Sequence, residues 1–327
     1  MASPRVVSLL PSATEIVAEL GVGEWLVGRS HECDQPAEPW LHALPVLTAQ
    51  RTSHDAPAAE IDAQVRAAMA QHQALYTLDE RRLADLRPDV ILTQDLCHVC
   101  SIDLAAVQRV AAGLSPQPTV VSLNPHTLEA VLDDHLTVGA ALGIPDRARR
   151  AVAALRERLY TLGDFVNPFD DGPNVAFLEW TDPLFVGGHW TPQLIERAGG
   201  RHPLNATQPV AGAGAAAGPI GLTERQAGKS VTVPPEVLAA SRPEVLIIAP
   251  CGLALPRALA EARALLRHAW FADLPAVRSG RVAVVDGNRM FNRPGPRLVD
   301  AFAFLVGYLQ NRPEIIPANF PWTPLHP

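Results

Sequence analysis

One ten-residue segment occurs twice in this chain. Leu83-Ala84-Asp85-Leu86-Arg87-Pro88-Asp89-Val90-Ile91-Leu92 returns 155 residues later as Leu238-Ala239-Ala240-Ser241-Arg242-Pro243-Glu244-Val245-Leu246-Ile247. Each copy reads as a helix end, a proline that stops the helix, an acidic residue and a buried strand. A cysteine-bearing loop follows shortly after both. The surroundings repeat in the same order. Val6–Leu10 with its loop and helix corresponds to Val175–Leu178, the loop 179–188 and a helix over 191–198. Thr119–Leu123 with Pro125 and its helix corresponds to Val282–Val285, the loop 286–296 and a helix over 297–309. Three correspondences in register imply two lobes of like architecture.

Between the copies, Ala148, Val152, Leu155, Leu159 and Leu162 recur at spacings of three and four. That stripe predicts one helix from Asp146 to Val166, about 30 Å long at 1.5 Å per residue. The expected fold is therefore α/β: two Rossmann-like lobes with mainly parallel sheets, joined by one long α-helix. The lobes take residues 1–144 and 168–327, and the helix takes 145–167.

The rest of the chain is consistent with this plan. Its 327 residues, 48% hydrophobic and 19% charged, suffice for two apolar cores and exclude general disorder. A net charge of −7 gives no support for nucleic-acid binding through phosphates. The first apolar run, Val6–Leu10, meets Pro11, Ser12 and Glu15 too soon for a signal-peptide core or a membrane span. As written the chain is expected to be cytoplasmic, without membrane insertion; removal of a leader would make it periplasmic or extracellular. Four cysteines are too few for a disulfide scaffold. Residues 37–57 read as irregular, 205–229 as a flexible Ala/Gly-rich stretch, and the proline-rich tail after Arg312 as surface.

Parallel sheets gather ligands at the carboxyl ends of their strands, so the loops there carry the candidate chemistry. All four cysteines lie in such loops, as do His31, His98, His126 and His189. Cys97-His98-Val99-Cys100 has a spacing that clamps a metal or forms a redox pair. Cys33 and Cys251 are candidates for the same metal site, since thiolate and imidazole are ligands of zinc, copper and iron. The competing reading is that a lone cysteine at a strand end fills apolar space. In the second lobe Trp180, Phe185, Trp190 and Phe291 supply an apolar face, with Asn288, Asn292 and Arg293 as donors. Such a surface suits a large, flat, partly apolar ligand; Phe185 is expected to close the core instead. Glu15 and Asp133-Asp134-His135 read as solvated or capping charges on helices. No nucleophile elbow, phosphate loop, complete dinucleotide fingerprint or His-Glu-x-x-His motif occurs, so catalysis has no signature beyond the Cys/His set.

The loop motifs together carry a resemblance. They are Ser8-Leu9-Leu10-Pro11-Ser12-Ala13-Thr14-Glu15-Ile16, His31-Glu32-Cys33-Asp34-Gln35-Pro36, Gln94-Asp95-Leu96-Cys97-His98-Val99-Cys100 and Pro125-His126-Thr127-Leu128 in the first lobe. In the second they are Glu179-Trp180, Gly188-His189-Trp190, Pro250-Cys251-Gly252, Asp286-Gly287-Asn288 and Arg293-Pro294-Gly295-Pro296-Arg297. Over about residues 4–310 the chain resembles the cobalamin-binding and iron-siderophore-binding components of ABC importers, whose lobes are joined by one rigid helix. It is most similar to their leaderless branch, usually described as cobalamin-binding proteins. The resemblance implies a corrinoid held between the lobes, and the strand-end loops supply its candidate contacts: Ser12, His31, Gln94, His98, Glu179, Trp180, His189, Trp190, Asn288, Phe291 and Arg293. Phe291 and Arg293 match the aromatic and arginine that the transporter proteins place over the corrin. Glu236 stands where those proteins dock a glutamate on an ABC permease, and Asp103 lies near the second docking position. The cysteine and histidine motifs have no counterpart in them.

Two readings follow. In the first the chain binds cobalamin or a related corrinoid, tetrapyrrole or metal chelate without catalysis. In the second it is a cytoplasmic protein handling a transition metal or metallocofactor through the Cys/His set, with enzymatic activity left open.

Overall fold

The repeated segment adopts one conformation twice. The helix Glu80–Leu86 ends on Arg87 in the left-handed region, φ 44°, and Arg242 after the helix Pro235–Ala240 takes φ 46°. Proline then prevents the helix from resuming. In the first copy the amides of Asp89 and Val90 donate to the carbonyl of Arg5, at 2.8 and 3.2 Å. In the second, Glu244 and Val245 donate to Asn174 at 2.8 and 3.1 Å. The acid after each proline closes the exchange: Arg5 N–H donates to Asp89 Oδ2 at 2.8 Å, and Asn174 N–H to Glu244 Oε2 at 2.9 Å. The acid thus fixes the register of the two central strands in each sheet.

A left-handed arginine carries a backbone cost that glycine does not. Arg87→Gly is expected to stabilise the protein by ~0.5–1 kcal/mol, because relief of the left-handed backbone cost outweighs the entropy that glycine adds to the unfolded chain. Urea denaturation reads this directly, and a lower midpoint would assign the Arg87 side chain a stabilising contact.

The computed structural model describes residues 3–53, 55–71, 73–95, 102–167, 169–211 and 225–326. Cys97, His98 and Cys100 lie outside them. The chain divides into two units: residues 1–56, 60–125 and 130–155, and residues 57–59, 126–129 and 156–327. The helix Pro145–Gly163 starts in the first and ends in the second.

The first unit holds β1 (Val6–Ser8), β2 (Leu26–Arg29), β3 (Thr48–Gln50), β4 (Tyr76–Leu78), β5 (Val90–Thr93) and β6 (Thr119–Ser122). Its main sheet has the order β2-β1-β5-β6 with every pairing parallel. Both faces are covered, as a parallel sheet requires: Val6, Val90 and Leu92 face one apolar cluster, and Val7 and Ile91 the other. β3 and β4 form a separate antiparallel pair. Residues 37–57, expected to be irregular, contain β3 and the short helix Pro39–His42. Leu41 and Leu47 are buried there, and that burial outweighs the prolines.

The second unit holds β7 (Val175–Thr181), β8 (Leu184–Val186), β9 (Gln208–Pro209), β10 (Arg225–Gln226), β11 (Val231–Thr232), β12 (Val245–Ile248), β13 (Val282–Val285) and β14 (Trp322–Pro324). The order is β11-β8-β7-β12-β13-β14, with β7, β12 and β13 parallel. β7-β12-β13 repeats β1-β5-β6. The flanks differ, because β8 and β14 pair antiparallel. The tail is therefore not mere surface: it supplies β14 and buries Phe320 and Leu325. Phe304 stacks on Phe320 at 4.5 Å and packs against Trp322 at 5.3 Å, which gives the tail its driving force.

The described ends of the stretch 205–229 are tied down. β9 pairs with β10, and Arg225 donates to the Thr207 hydroxyl at 2.8 Å and the Thr207 carbonyl at 2.7 Å. Glu196 in turn accepts from the Thr207 amide at 2.9 Å.

Candidate functional site

In each unit the parallel strands run the same way, so their carboxyl-end loops share one edge of the sheet. In the first unit these loops lead from β1 into the helix Pro11–Glu19, from β2 to His31, from β5 to Gln94 and from β6 to Asn124. Ser12 is buried in the first turn of its helix. His31 is half-buried; its Nδ1 lies 2.6 Å from the Thr48 hydroxyl and its ring 5.6 Å from Tyr76. Gln94 is half-buried at the end of β5, and the next amide, Asp95, donates to Asn124 Oδ1 at 2.6 Å.

Cys33 faces inward. It is 0% exposed, and its Sγ lies 3.0 Å from the Thr14 hydroxyl oxygen, which in turn lies 2.9 Å from Ser8 Oγ. This thiol ties the β2 loop to the β1 loop and is withdrawn from any surface metal cluster. Cys251 is exposed, and its amide donates to the Glu179 carbonyl at 2.9 Å. Among the described residues no three His, Cys, Asp or Glu side chains are placed to hold a metal ion. The two thiols should therefore react differently. With a thiol-directed disulfide reagent, Cys251→Ser is expected to remove one fast-reacting thiol from the native protein and Cys33→Ser none. A fast Cys33 would place its thiol at the surface.

In the second unit the site is built on tight backbone packing. A Cβ on Gly287 would lie 2.0 Å from the Pro250 carbonyl oxygen, so glycine alone lets the β13 loop close on the β12 loop. Asp286 then accepts from the Arg289 amide at 2.9 Å, and Asn292 donates to the carbonyls of Ala249 at 3.0 Å and Gly287 at 2.8 Å. Half-buried Asn288 accepts from the Arg293 guanidinium at 2.9 Å. On the other side, a Cβ on Gly188 would sit 2.3 Å from the Ser230 amide nitrogen. Residues 228–230 thus lie against the β8 loop, where Ser230 donates to the Glu179 carboxylate.

The aromatic face differs from expectation in three of its four members. Phe291 is 1% exposed, with φ 65°, and its ring meets Phe177 edge-on at 4.9 Å inside the core. Trp190 is buried and donates from Nε1 to the Phe291 carbonyl at 2.6 Å. Both brace the loops and offer no ring to a ligand, and Arg293 is likewise buried. Phe185, expected in the core, is half-exposed, because the strand period of two puts Leu184 and Val186 inside. It stands opposite half-exposed Trp180 in the β7–β8 register. The surviving apolar face is Trp180 with Phe185.

His189, in the loop after β8, is half-buried at φ 55°, its amide donating to the Gly228 carbonyl at 2.8 Å. Burial, then the neighbouring His126 and Lys229 charges, hold the imidazole below the usual histidine range, so it is neutral at pH 7. The exposed His126 ring stacks on it at 6.0 Å. His126, read from the sequence as one of the strand-end loop histidines, was not among the candidate ligand contacts. Glu236 is exposed in the first turn of its helix, whereas exposed Asp103 caps Leu104–Ala112 by accepting from the Ala105 amide at 3.0 Å.

A family model described as periplasmic binding protein matches residues 6–288. Among solved structures, a periplasmic heme binding protein from Pseudomonas aeruginosa is 24% identical, with 95% of this chain and 94% of that one covered and a TM-score of 0.67. The periplasmic heme-binding protein RhuT from Roseiflexus sp. RS-1 is also 24% identical, with coverages of 95% and 99% and a TM-score of 0.66. The periplasmic vitamin B12 binding protein BtuF of Vibrio cholerae is 20% identical, with coverages of 95% and 98% and a TM-score of 0.64. At these identities the likeness establishes the shared fold. No curated protein matches the chain. No described helix is long and apolar enough to cross a membrane.

Proposed function

This chain belongs to the periplasmic binding protein family, and on that premise we propose that it is a substrate-binding component of an ABC importer whose ligand is a metal tetrapyrrole, with cobalamin as the first candidate. The observation that carries the reading is the apolar face that Trp180 and Phe185, both partly exposed, form across the β7–β8 register; Glu179 precedes Trp180 in β7, and His189 and Asn288 stand in the loops after β8 and β13. A flat macrocycle buries its apolar plane on such a face and meets polar partners at its rim. The neutral imidazole of His189 is an available donor for a ligand's metal centre. The heme binding and vitamin B12 binding proteins that share this fold agree with that ligand class.

Titration of the purified protein with cyanocobalamin, aquocobalamin and hemin tests the reading. Saturable binding with a shifted visible spectrum is expected for at least one of them. Absence of heat and of spectral change with all three at tens of micromolar overturns it. Exposed Glu236 is the residue we assign to permease docking. Glu236→Arg should leave ligand affinity intact while weakening the coupling of binding to permease ATPase activity.

A further inference from the structure

A second concave site lies at the opposite, amino-terminal ends of β12 and β13. It is a recess of about 420 Å³, a volume within the range of small-molecule sites, lined by Ala239, Arg242, Trp270, Asp273, Leu274, Pro275 and Arg278. Arg242 immediately precedes the Pro243 turn into β12, and Arg278 ends the short helix before β13. Both arginines are exposed, and among the described residues neither guanidinium has an ion pair or hydrogen bond. Trp270 is half-buried against the core, its ring edge-on to Phe271 at 5.5 Å, and its indole N–H has no protein partner among the described residues.

The internal repeat supplies a comparison within the same chain. Arg87 has the same left-handed conformation as Arg242, so the backbone there belongs to the framework of both units. What the second unit adds is the tryptophan and a second arginine. The residues before β6, Leu114-Ser115-Pro116-Gln117-Pro118, contain neither.

We propose that this recess is a binding site for a small aromatic anion, separate from the carboxyl-end loops. The indole and Pro275 take the ring; Arg242 and Arg278 take a carboxylate or phosphate, which guanidinium recognises through paired, charge-assisted hydrogen bonds. Asp273, the one acid on the rim, disfavours a second negative charge on that side and accepts from a ligand hydroxyl or amine.

The test uses 1-naphthoate, 1-naphthyl phosphate and the neutral 1-naphthalenemethanol, followed by heteronuclear NMR of indole-labelled protein and by calorimetry. Saturable binding of at least one anion in the submillimolar range is expected, with the Trp270 indole resonance shifting. The neutral analogue should bind about tenfold more weakly, and Arg242→Gln and Arg278→Gln should each cost the anion about as much. These side chains are exposed, so both variants fold, as circular dichroism can verify. Trp270→Phe should retain binding and lose the shifting resonance. No saturation by either anion up to several millimolar overturns the proposal. So does binding that neither arginine variant weakens, because the anion would then be held elsewhere. The two acids distinguish a carboxylate-selective from a phosphate-selective site, and either result supports the assignment.

Discussion

Asp134→Asn is expected to stabilise this protein substantially at pH 8 and much less at pH 5. Asp134 lies on the helix Leu128–Ala141 with only 9% of its surface exposed, and its Oδ2 has no hydrogen-bond partner. Burial, reinforced by the adjacent Asp133 carboxylate, raises its pKa from 3.8 to about 7. A carboxyl whose folded pKa exceeds its unfolded value favours folding when protonated. Stability therefore falls as pH rises from about 4 to 7 and is flat above that window. A shift of this size corresponds to roughly 4 kcal/mol at pH 8, and under half of that at pH 5. Asparagine keeps the shape without the charge and should recover most of it, raising the thermal midpoint by several degrees at pH 8. A variant with the same gain at both pH values would mean that the carboxyl does not titrate in this range. The residue beside it, His135, is fully buried, with Nδ1 3.1 Å from the Leu132 carbonyl oxygen. The sequence reading of Asp133-Asp134-His135 as solvated charge thus fails for Asp134 and His135. Glu15, also expected to be solvated or capping, is buried as well.

The second large effect separates the two kinds of aromatic residue in the second unit. Phe291→Ala should cost ~3–5 kcal/mol of stability, because it empties a ring-sized volume between Phe177, Phe304 and Phe320. Trp180→Ala should cost less stability, since that side chain packs on the rim of the core and is only partly buried, and should weaken tetrapyrrole binding by at least tenfold. Urea midpoints and ligand titrations of the same two proteins decide between the roles. Loss of ligand with an unchanged midpoint in Phe291→Ala would return that ring to the binding face.

Much of the fold was legible because its signals are local. Arg87-Pro88-Asp89 and Arg242-Pro243-Glu244 announce a helix stop and a strand start through backbone restrictions that act within a few residues. The spacing of Ala148 to Leu162 found the long helix because one stripe must be buried. The site was less legible. Glu179 and Trp180, expected in a loop, lie within β7, which runs on to Thr181 and turns back as β8, and which of the candidate side chains are accessible could not be read from the sequence.

By itself the sequence determined a duplicated α/β plan, a long helix and the loops that can carry chemistry. These follow from periodicity, proline restriction and repetition, which need no knowledge of neighbours. Only the tertiary structure decided that Phe291, Trp190 and Cys33 face inward, that Phe185 faces outward, and that the last residues form a strand. Those outcomes depend on which side of each element meets another, through contacts such as Phe304 on Phe320 and Thr14 on Cys33. The partners are distant in the chain, and their packing is not encoded in any one segment.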